Sequence, residues 1–350
     1  MKSIENRLLK CFFRESSLWG EFTRGHWHKM YSGVRDVHDN NSLIEELRKF
    51  GDSTITEGVN IRDYSGISEA DLQIHLDWQE QKFKELTSGS PTLESLIIPK
   101  SFNIIGRDID ENSVIPVTAY RLGYYVHQML NALEMLNASD QGKRNVVLEI
   151  GGGFGLTSLI FKRNMKNSCY IMIDIESTSI LSAYFLMNMG LKVCLCGEFD
   201  ELNEELMNEY DVIILPPHYI EKLSENSIDL VINTASFIEM TPEFVRYYLT
   251  HINKITKMFY IDGYYEKWIE QHFELLTDFK LTMDRVTPIN YLHPRQPDSI
   301  ISDRGNVKKS LTELGEWLKV DDGSLVKRWV KAFKPRHGLN VEYVEKLYIK

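Results

Sequence analysis

The spacing of apolar residues changes character near residue 145. Beyond it, short apolar runs alternate with longer stretches that repeat apolar residues at helical spacing. This alternation is typical of a parallel α/β sheet, whose strands are buried on both faces and are joined by helices. The pattern predicts strands at residues 145–150, 169–175, 228–233 and 257–262, and helices at residues 156–163, 178–189 and 242–255.

The third strand of the sheet has two candidates. Residues 192–196 and 211–215 are both short strand candidates, and either could be the third strand of the sheet. Towards the C-terminus, residues 279–289 and 341–348 read as the last strands. Between them the pattern predicts helices at residues 310–318 and 325–333.

Residues 1–115 lack the alternation and are predicted to form a helical region. Helical spacing predicts helices at residues 42–50, stopped by Gly51, and at residues 69–86. A further helix, residues 118–136, leads into the first strand of the sheet. We therefore expect a helical region over residues 1–115, serving as a cap or for substrate or oligomer contacts, and an α/β domain over residues 116–350.

The first strand of the sheet ends in a glycine-rich loop. Residues 146–155 read VVLEIGGGFG, an apolar run, an acid and then four glycines in five positions. Glycine has no Cβ, so such a loop can bring its backbone N–H groups close to a ligand. A dinucleotide fingerprint would need glycine or alanine at Leu156, and a phosphate-binding P-loop would need a lysine before Thr157. The sequence fits acid-x-G-x-G-x-G better.

Polar residues also follow the next strands, at the edge where an open α/β sheet binds its ligand. Asp174 ends the second strand, about 20 residues after the first glycine, where an acid can accept both hydroxyls of a ribose. The same acid could instead cap the following helix. Residues 233–240, NTASFIEM, leave the strand at 228–233 with polar groups directed at the same crevice.

Residues 118–265 resemble the class I S-adenosylmethionine (SAM)-dependent methyltransferases. Within that class, the motifs VLEIGGGFG, YIMIDI and NTASFIEM are similar to those of the bacterial sugar O-methyltransferase family. The resemblance implies a Rossmann-like, mostly parallel sheet with helices on both faces and SAM as methyl donor. It implies a hydroxyl of a sugar, sugar nucleotide or glycan as acceptor. A methyltransferase of a non-sugar small molecule and a non-catalytic SAM-binding protein are the alternatives.

The resemblance also suggests which residues hold the cofactor. It puts Glu149 and the loop backbone at the methionine part of SAM, Asp174 at the ribose and Ile175 beside the adenine. Arg121, on the helix entering the sheet, could pair with the SAM carboxylate, with an acidic sugar or with a protein carboxylate. The predicted cofactor-binding set is Glu149, Gly151, Gly152, Gly153, Asp174, Ile175, Asn233 and Arg121.

A sugar hydroxyl is a poor nucleophile, so a positioned base is expected at a strand end. Glu239 and Asp262 are the first candidates and His218 is the third, although His218 could instead frame the adenine. His293 reads as a loop histidine. Two carboxylates near one crevice leave room for Mg²⁺ on a sugar diol, but no metal is expected by default. The pair His26 and His28 lacks a third ligand at a readable spacing.

Composition and charge limit the classes of partner that the protein is expected to bind. The chain has 350 residues and a net charge of −10, which argues against a general nucleic-acid or anionic-membrane surface. No apolar run is long enough to span a membrane, and the N-terminus does not read as a signal peptide. The four cysteines, Cys11, Cys169, Cys194 and Cys196, read as thiols of a reducing compartment. We expect a cytoplasmic enzyme with a small-molecule or glycan acceptor, compatible with a homo-oligomer.

Overall fold

The computed structural model of the chain describes residues 47, 50–51, 69–136, 144–264, 267–288 and 343–350. Several predictions therefore lie outside the described residues. They are the helices at residues 310–318 and 325–333, most of the helix at residues 42–50, and the side chains of His26, His28, Cys11 and His293.

Strands and helices alternate along the described chain. The strands are β1 Ile98–Pro99, β2 Gly106–Asp108, β3 Ser113–Pro116, β4 Asn145–Ile150, β5 Ser168–Ile173, β6 Val193–Leu195, β7 Val212–Leu215, β8 Ile228–Thr234, β9 Thr256–Tyr264, β10 Lys280–Val286 and β11 Tyr343–Ile349. The α-helices are α1 Glu69–Thr87, α2 Ala119–Leu136, α3 Leu156–Asn164, α4 Glu176–Asn188, α5 Glu204–Glu209, α6 Pro242–Ile255 and α7 Lys267–Glu270.

One eight-stranded sheet, in the order β10-β11-β9-β8-β4-β5-β7-β6, organises the fold. The strands from β6 to β9 pair in parallel, whereas β11 and β10 add antiparallel strands at one edge. The predicted Rossmann-like, mostly parallel α/β sheet is confirmed. The ambiguity over the third strand is also resolved, because β7 pairs with β5 and β6 lies outside it.

Helices cover both faces of the sheet. Alternate strand residues enter two different apolar clusters: Val147 of β4 packs in one and Leu148 in the other. The first cluster includes residues of α2, α3 and α4, and the second includes residues of α6. Helix α6 buries Val245, Leu249 and Ile252, which repeat at the helical period.

The strand order reverses between β4 and β8, which makes a topological switch point. From β4 the chain moves outward through β5 to β6 at the sheet edge, fills the place between them with β7, and then crosses to the other side of β4 as β8. At such a point the loops after two neighbouring strands diverge and leave a crevice at their carboxyl ends, where open α/β sheets bind ligands. The glycine-rich loop follows β4, and the NTASFIEM segment follows β8.

The region before residue 116 contains more than the predicted helices. Helix α1 agrees with the prediction, but β1, β3 and β2 form a three-stranded antiparallel sheet that the helical interpretation missed. The rings of Phe50 and Phe102 pack with Phe154 and Phe185, so this region shares the first apolar cluster with the α/β sheet. The division at residues 115 and 116 stays a prediction. None of the described helices is long and apolar enough to cross a membrane.

Candidate functional site

The glycine-rich loop after β4 packs against the segment that follows β8. Gly151 has a φ of +80°, and a Cβ there would lie 2.3 Å from Ser236 Oγ, so only glycine fits. Gly153 also has a positive φ, of +57°, but a Cβ there would meet nothing within 4 Å. Gly153 therefore borders open space, and its position leaves room for a ligand against the loop.

Asp174, just beyond β5, holds this loop in place. Its Oδ2 accepts the Gly153 N–H at 2.9 Å, and its Oδ1 accepts the Ile175 N–H at 2.7 Å. Ile175 is the N-cap residue of helix α4, so the carboxyl group bonds both the glycine loop and the start of that helix. Burial raises the Asp174 pKa to about 7, while the two N–H donors oppose the shift.

Glu149 lies beneath the loop and is only 1% exposed. Tyr170 Oη donates to Glu149 Oε2 at 2.8 Å, and a Cβ on Gly152 would come within 3.1 Å of the same oxygen. Burial raises the Glu149 pKa to about 8, with a smaller contribution from the charge of Asp174. Glu149 thus supports the loop from the core, and its contact with the methionine part of SAM stays a prediction.

The burial of the Glu149 carboxyl group gives a test of stability against pH. Because its folded pKa of about 8 exceeds the ordinary 4.5, the folded protein binds more protons than the unfolded chain between these values. The free energy of unfolding should fall as pH rises through that window, by up to about 1.4 kcal/mol per pH unit for one group.

Glu149→Gln stays neutral and can still accept from Tyr170, so we expect a flatter dependence and a more stable protein near pH 8. Urea unfolding across the pH range measures this. The exposed Glu201→Gln is the matched control and should keep the wild-type slope. Equal slopes for Glu149→Gln and wild type would contradict the prediction.

Asn233 joins the ends of β8 and β4. It is fully buried, its Nδ2 donates to the Ile150 carbonyl at 3.0 Å and to Ser236 Oγ, and its Oδ1 accepts the Phe237 N–H. The amide is therefore engaged inside the protein and has no exposed surface. Its hydrogen bonds fix the shape of the crevice, and the contact of Asn233 with the cofactor stays a prediction.

Asp262, near the end of β9, is a fully buried carboxyl group with one unsatisfied oxygen. Tyr125 Oη donates to its Oδ1 at 3.1 Å and the Thr287 side chain also hydrogen-bonds the carboxyl group, whereas no donor in the part of the chain that the structure describes lies within hydrogen-bond distance of Oδ2. Burial raises the Asp262 pKa to about 7; Thr287, Tyr125 and Arg121 oppose the shift, and Glu345 adds to it.

Helix α2 begins at this same edge and brings polar side chains towards Asp262. Arg121 and Tyr125 are one turn apart on one face of α2, and Thr118 immediately precedes the helix. The Arg121 Nε and the Thr118 Oγ1 are buried without a partner among the residues described. Together with Asp262 Oδ2, they are buried polar atoms that a bound ligand could satisfy.

The remaining candidates are spread along the edge. His218 is half-buried in a 3₁₀ turn after β7, with its ring 5.0 Å from that of Tyr219. Strand β7 is four strand spacings from β9, roughly 19 Å, so His218 and Asp262 flank opposite sides of the crevice. Ile175 is half-buried against the core, and Glu239 ends the turn Phe237–Glu239 after β8. Within the described ranges, no three His, Cys, Asp or Glu side chains are grouped to hold a metal.

Sequence reasoning missed Thr118 and the role of Tyr125 as partner of Asp262. Arg121 and Tyr125 do share a helix face, which the spacing could have indicated. The contact with β9 depends on tertiary packing, which has no local signal.

No protein-family model matches the sequence, and no curated protein matches it. Solved structures match at low identity. A Galdieria sulphuraria protein assigned as a sarcosine dimethylglycine methyltransferase is 12% identical with a TM-score of 0.38, over 70% of this chain and 91% of that one. Phosphoethanolamine N-methyltransferase 2 of Haemonchus contortus is 11% identical with a TM-score of 0.35, over 66% of this chain and 57% of that one.

The cyclase SpnF is 12% identical with a TM-score of 0.39, over 79% of this chain and 95% of that one. This chain covers just over half the length of the Haemonchus enzyme. Likenesses of this size carry no information on substrate.

Proposed function

We propose that the chain is a SAM-dependent O-methyltransferase that acts on a hydroxyl of a sugar, sugar nucleotide or glycan. The observation that carries the proposal is the bond between Asp174 and Gly153 at the switch point of the sheet. It places a carboxyl group and a glycine backbone, each on a different strand end, at one crevice. A ribose is bound by an acid, and the methionine part attached to it needs a backbone that allows close approach.

The residues present fit the donor. Asp174 would accept the ribose hydroxyls, the backbone of Gly151–Gly153 would border the methionine part, and Ile175 would lie beside the adenine. Arg121 would pair with the methionine carboxylate, which would give its buried Nε the partner that it lacks within the described chain. When bound, the donor supplies an electrophilic methyl group. The chain must then orient the acceptor oxygen and receive its proton.

Asp262 has the properties of that proton acceptor. Its Oδ2 is unsatisfied, Tyr125 fixes the orientation of the carboxyl group, and a pKa of about 7 suits a base that works near neutral pH. Thr118 would help to hold a polar acceptor at the same place. The saccharide class rests on the resemblance of the NTASFIEM segment and on the polar lining at α2 and β9.

A methyl-transfer screen tests the proposal. The full chain is incubated with SAM labelled on its methyl group and with sugar nucleotides, free glycans, hydroxy acids and phenols. We expect label on a saccharide through an ether, which resists mild base, whereas a methyl ester does not. Asp174→Ala should give no transfer. Label on non-sugar compounds alone would overturn the sugar acceptor, and SAM binding without transfer to any acceptor would favour a non-catalytic SAM-binding protein.

A further inference from the structure

Glu345 is a buried carboxylate on the last strand, outside every motif of the sequence. It is 0% exposed, yet three side chains donate to it. Tyr124 Oη lies 3.0 and 3.1 Å from its two oxygens, Tyr260 Oη lies 2.9 Å from Oε2, and Arg285 forms an ion pair with Oε1. Both oxygens of this buried carboxyl group are therefore hydrogen-bonded, and Arg285 lies next to it as a counter-ion.

Glu345 also faces Asp262. In the antiparallel pair of β11 and β9, Glu345 lies directly opposite Asp262. Directly opposite residues project to the same face of a sheet, with their Cβ atoms about 5 Å apart. Two fully buried carboxyl groups therefore share one face beneath helix α2, and only one of them is fully hydrogen-bonded within the described chain.

We propose that Glu345 is a positioning residue, whose fixed negative charge opposite Asp262 sets the pH at which Asp262 can accept a proton. The part of this inference that concerns catalysis rests on the proposed function. An ion pair such as that of the buried Glu345 and the half-exposed Arg285 contributes little to stability compared with apolar packing. Glu345 instead acts on Asp262, because a like charge nearby makes a carboxyl group hold its proton at higher pH.

Other groups around Asp262 act on the same proton. Helix α2 contributes Arg121, Tyr124 and Tyr125, β9 itself contributes Tyr260, β10 and the residue after it contribute Arg285 and Thr287, and β11 contributes Glu345. Arg121, Tyr125 and Thr287 favour the ionised form of Asp262. Glu345 is the anion among these groups, so its removal should shift the Asp262 pKa in the direction opposite to the removal of Arg121, Tyr125 or Thr287.

The test is an infrared titration of Asp262 in the full chain, without donor or acceptor. The Asp262 carboxyl band is identified as the difference between each protein and its Asp262→Asn counterpart. We expect Glu345→Gln to lower the Asp262 pKa by about one unit. Arg285→Gln should raise it, because the Glu345 charge then loses its counter-ion. Asp284→Asn, which removes a carboxylate that is paired with Lys346 on the other face of the same strand pair, should leave it unchanged.

The acidic limb of kcat/KM for methyl transfer should move in the same directions. Opposite shifts in the two variants are not expected of a residue that only supports the fold. If Glu345→Gln does not fold, Arg285→Gln, at a half-exposed side chain, decides the matter by its upward shift. An Asp262 titration that stays unchanged in the folded variants overturns the proposal. A shifted titration in a protein without methyl transfer upholds the charge coupling and refutes the proposed function instead.

Discussion

Asp174→Ala is expected to weaken SAM binding by roughly 100-fold or more. In the proposed binding mode, the substitution removes two charge-assisted hydrogen bonds to the ribose, each of which contributes about 1.5–3 kcal/mol. It also frees the Gly153 N–H, whose bond to Asp174 holds the glycine loop in its open, ligand-ready shape. Both effects act on the donor, so the loss should appear in the dissociation constant for S-adenosylhomocysteine as well.

Calorimetry with SAM and with S-adenosylhomocysteine measures the change, and circular dichroism checks the fold. Asp200→Ala is the matched control, since Asp200 is an exposed acid near the same sheet edge. Because the Asp174 pKa is about 7, SAM affinity in the wild type should also fall as pH drops below about 7, where the acid becomes protonated. Equal affinities for Asp174→Ala and wild type would overturn the assignment of the donor site.

The local pattern of apolar residues was sufficient to predict the elements that form the glycine-loop side of the crevice. Strand β4 and helix α6 have the predicted bounds, because a continuous apolar run and a clear 3.6-residue period are local properties. The place of Asp174 beside the glycine loop could be predicted because the distance from strand to strand in such a unit varies little. The positive φ of Gly153 follows from the same motif.

The pairing of strands that lie far apart along the chain could not be predicted from the sequence. The candidate segments 192–196 and 211–215 are both five residues long and mostly apolar, and only the pairing of β7 with β5 separates them. The three-stranded sheet at β1–β3 consists of strands of two to four residues, too short for a periodicity to show.

The acceptor side could be predicted only in part. Asp262 was predicted from its place at a strand end. Its partners, Tyr125 and Glu345, lie far from it along the chain and are brought to it by the packing of α2 and by the antiparallel strand β11. The burial of Glu149 follows from its place in a strand that is covered on both faces, and its contact with the ligand stays a prediction.

Asp262→Asn is expected to lower kcat by about 10²–10⁴-fold while leaving SAM affinity nearly unchanged. An asparagine keeps the size of the side chain and can accept from Tyr125, but it cannot take the proton of the acceptor hydroxyl. The wild-type rate should rise with pH through about 7, the pKa of Asp262, because the base must be ionised. Steady-state methyl transfer across the pH range, with calorimetry for the donor, separates the two effects.

Glu239→Gln is the comparison that identifies the base, because Glu239 was the other carboxylate predicted for this role. Full turnover in Asp262→Asn together with a large loss in Glu239→Gln would transfer the role to Glu239. Tyr125→Phe should lie between wild type and Asp262→Asn, since it removes the hydrogen bond that orients the carboxyl group but keeps the base. The order of these three rates distinguishes a base at the end of β9 from one after β8. It also shows which side of the crevice receives the acceptor hydroxyl.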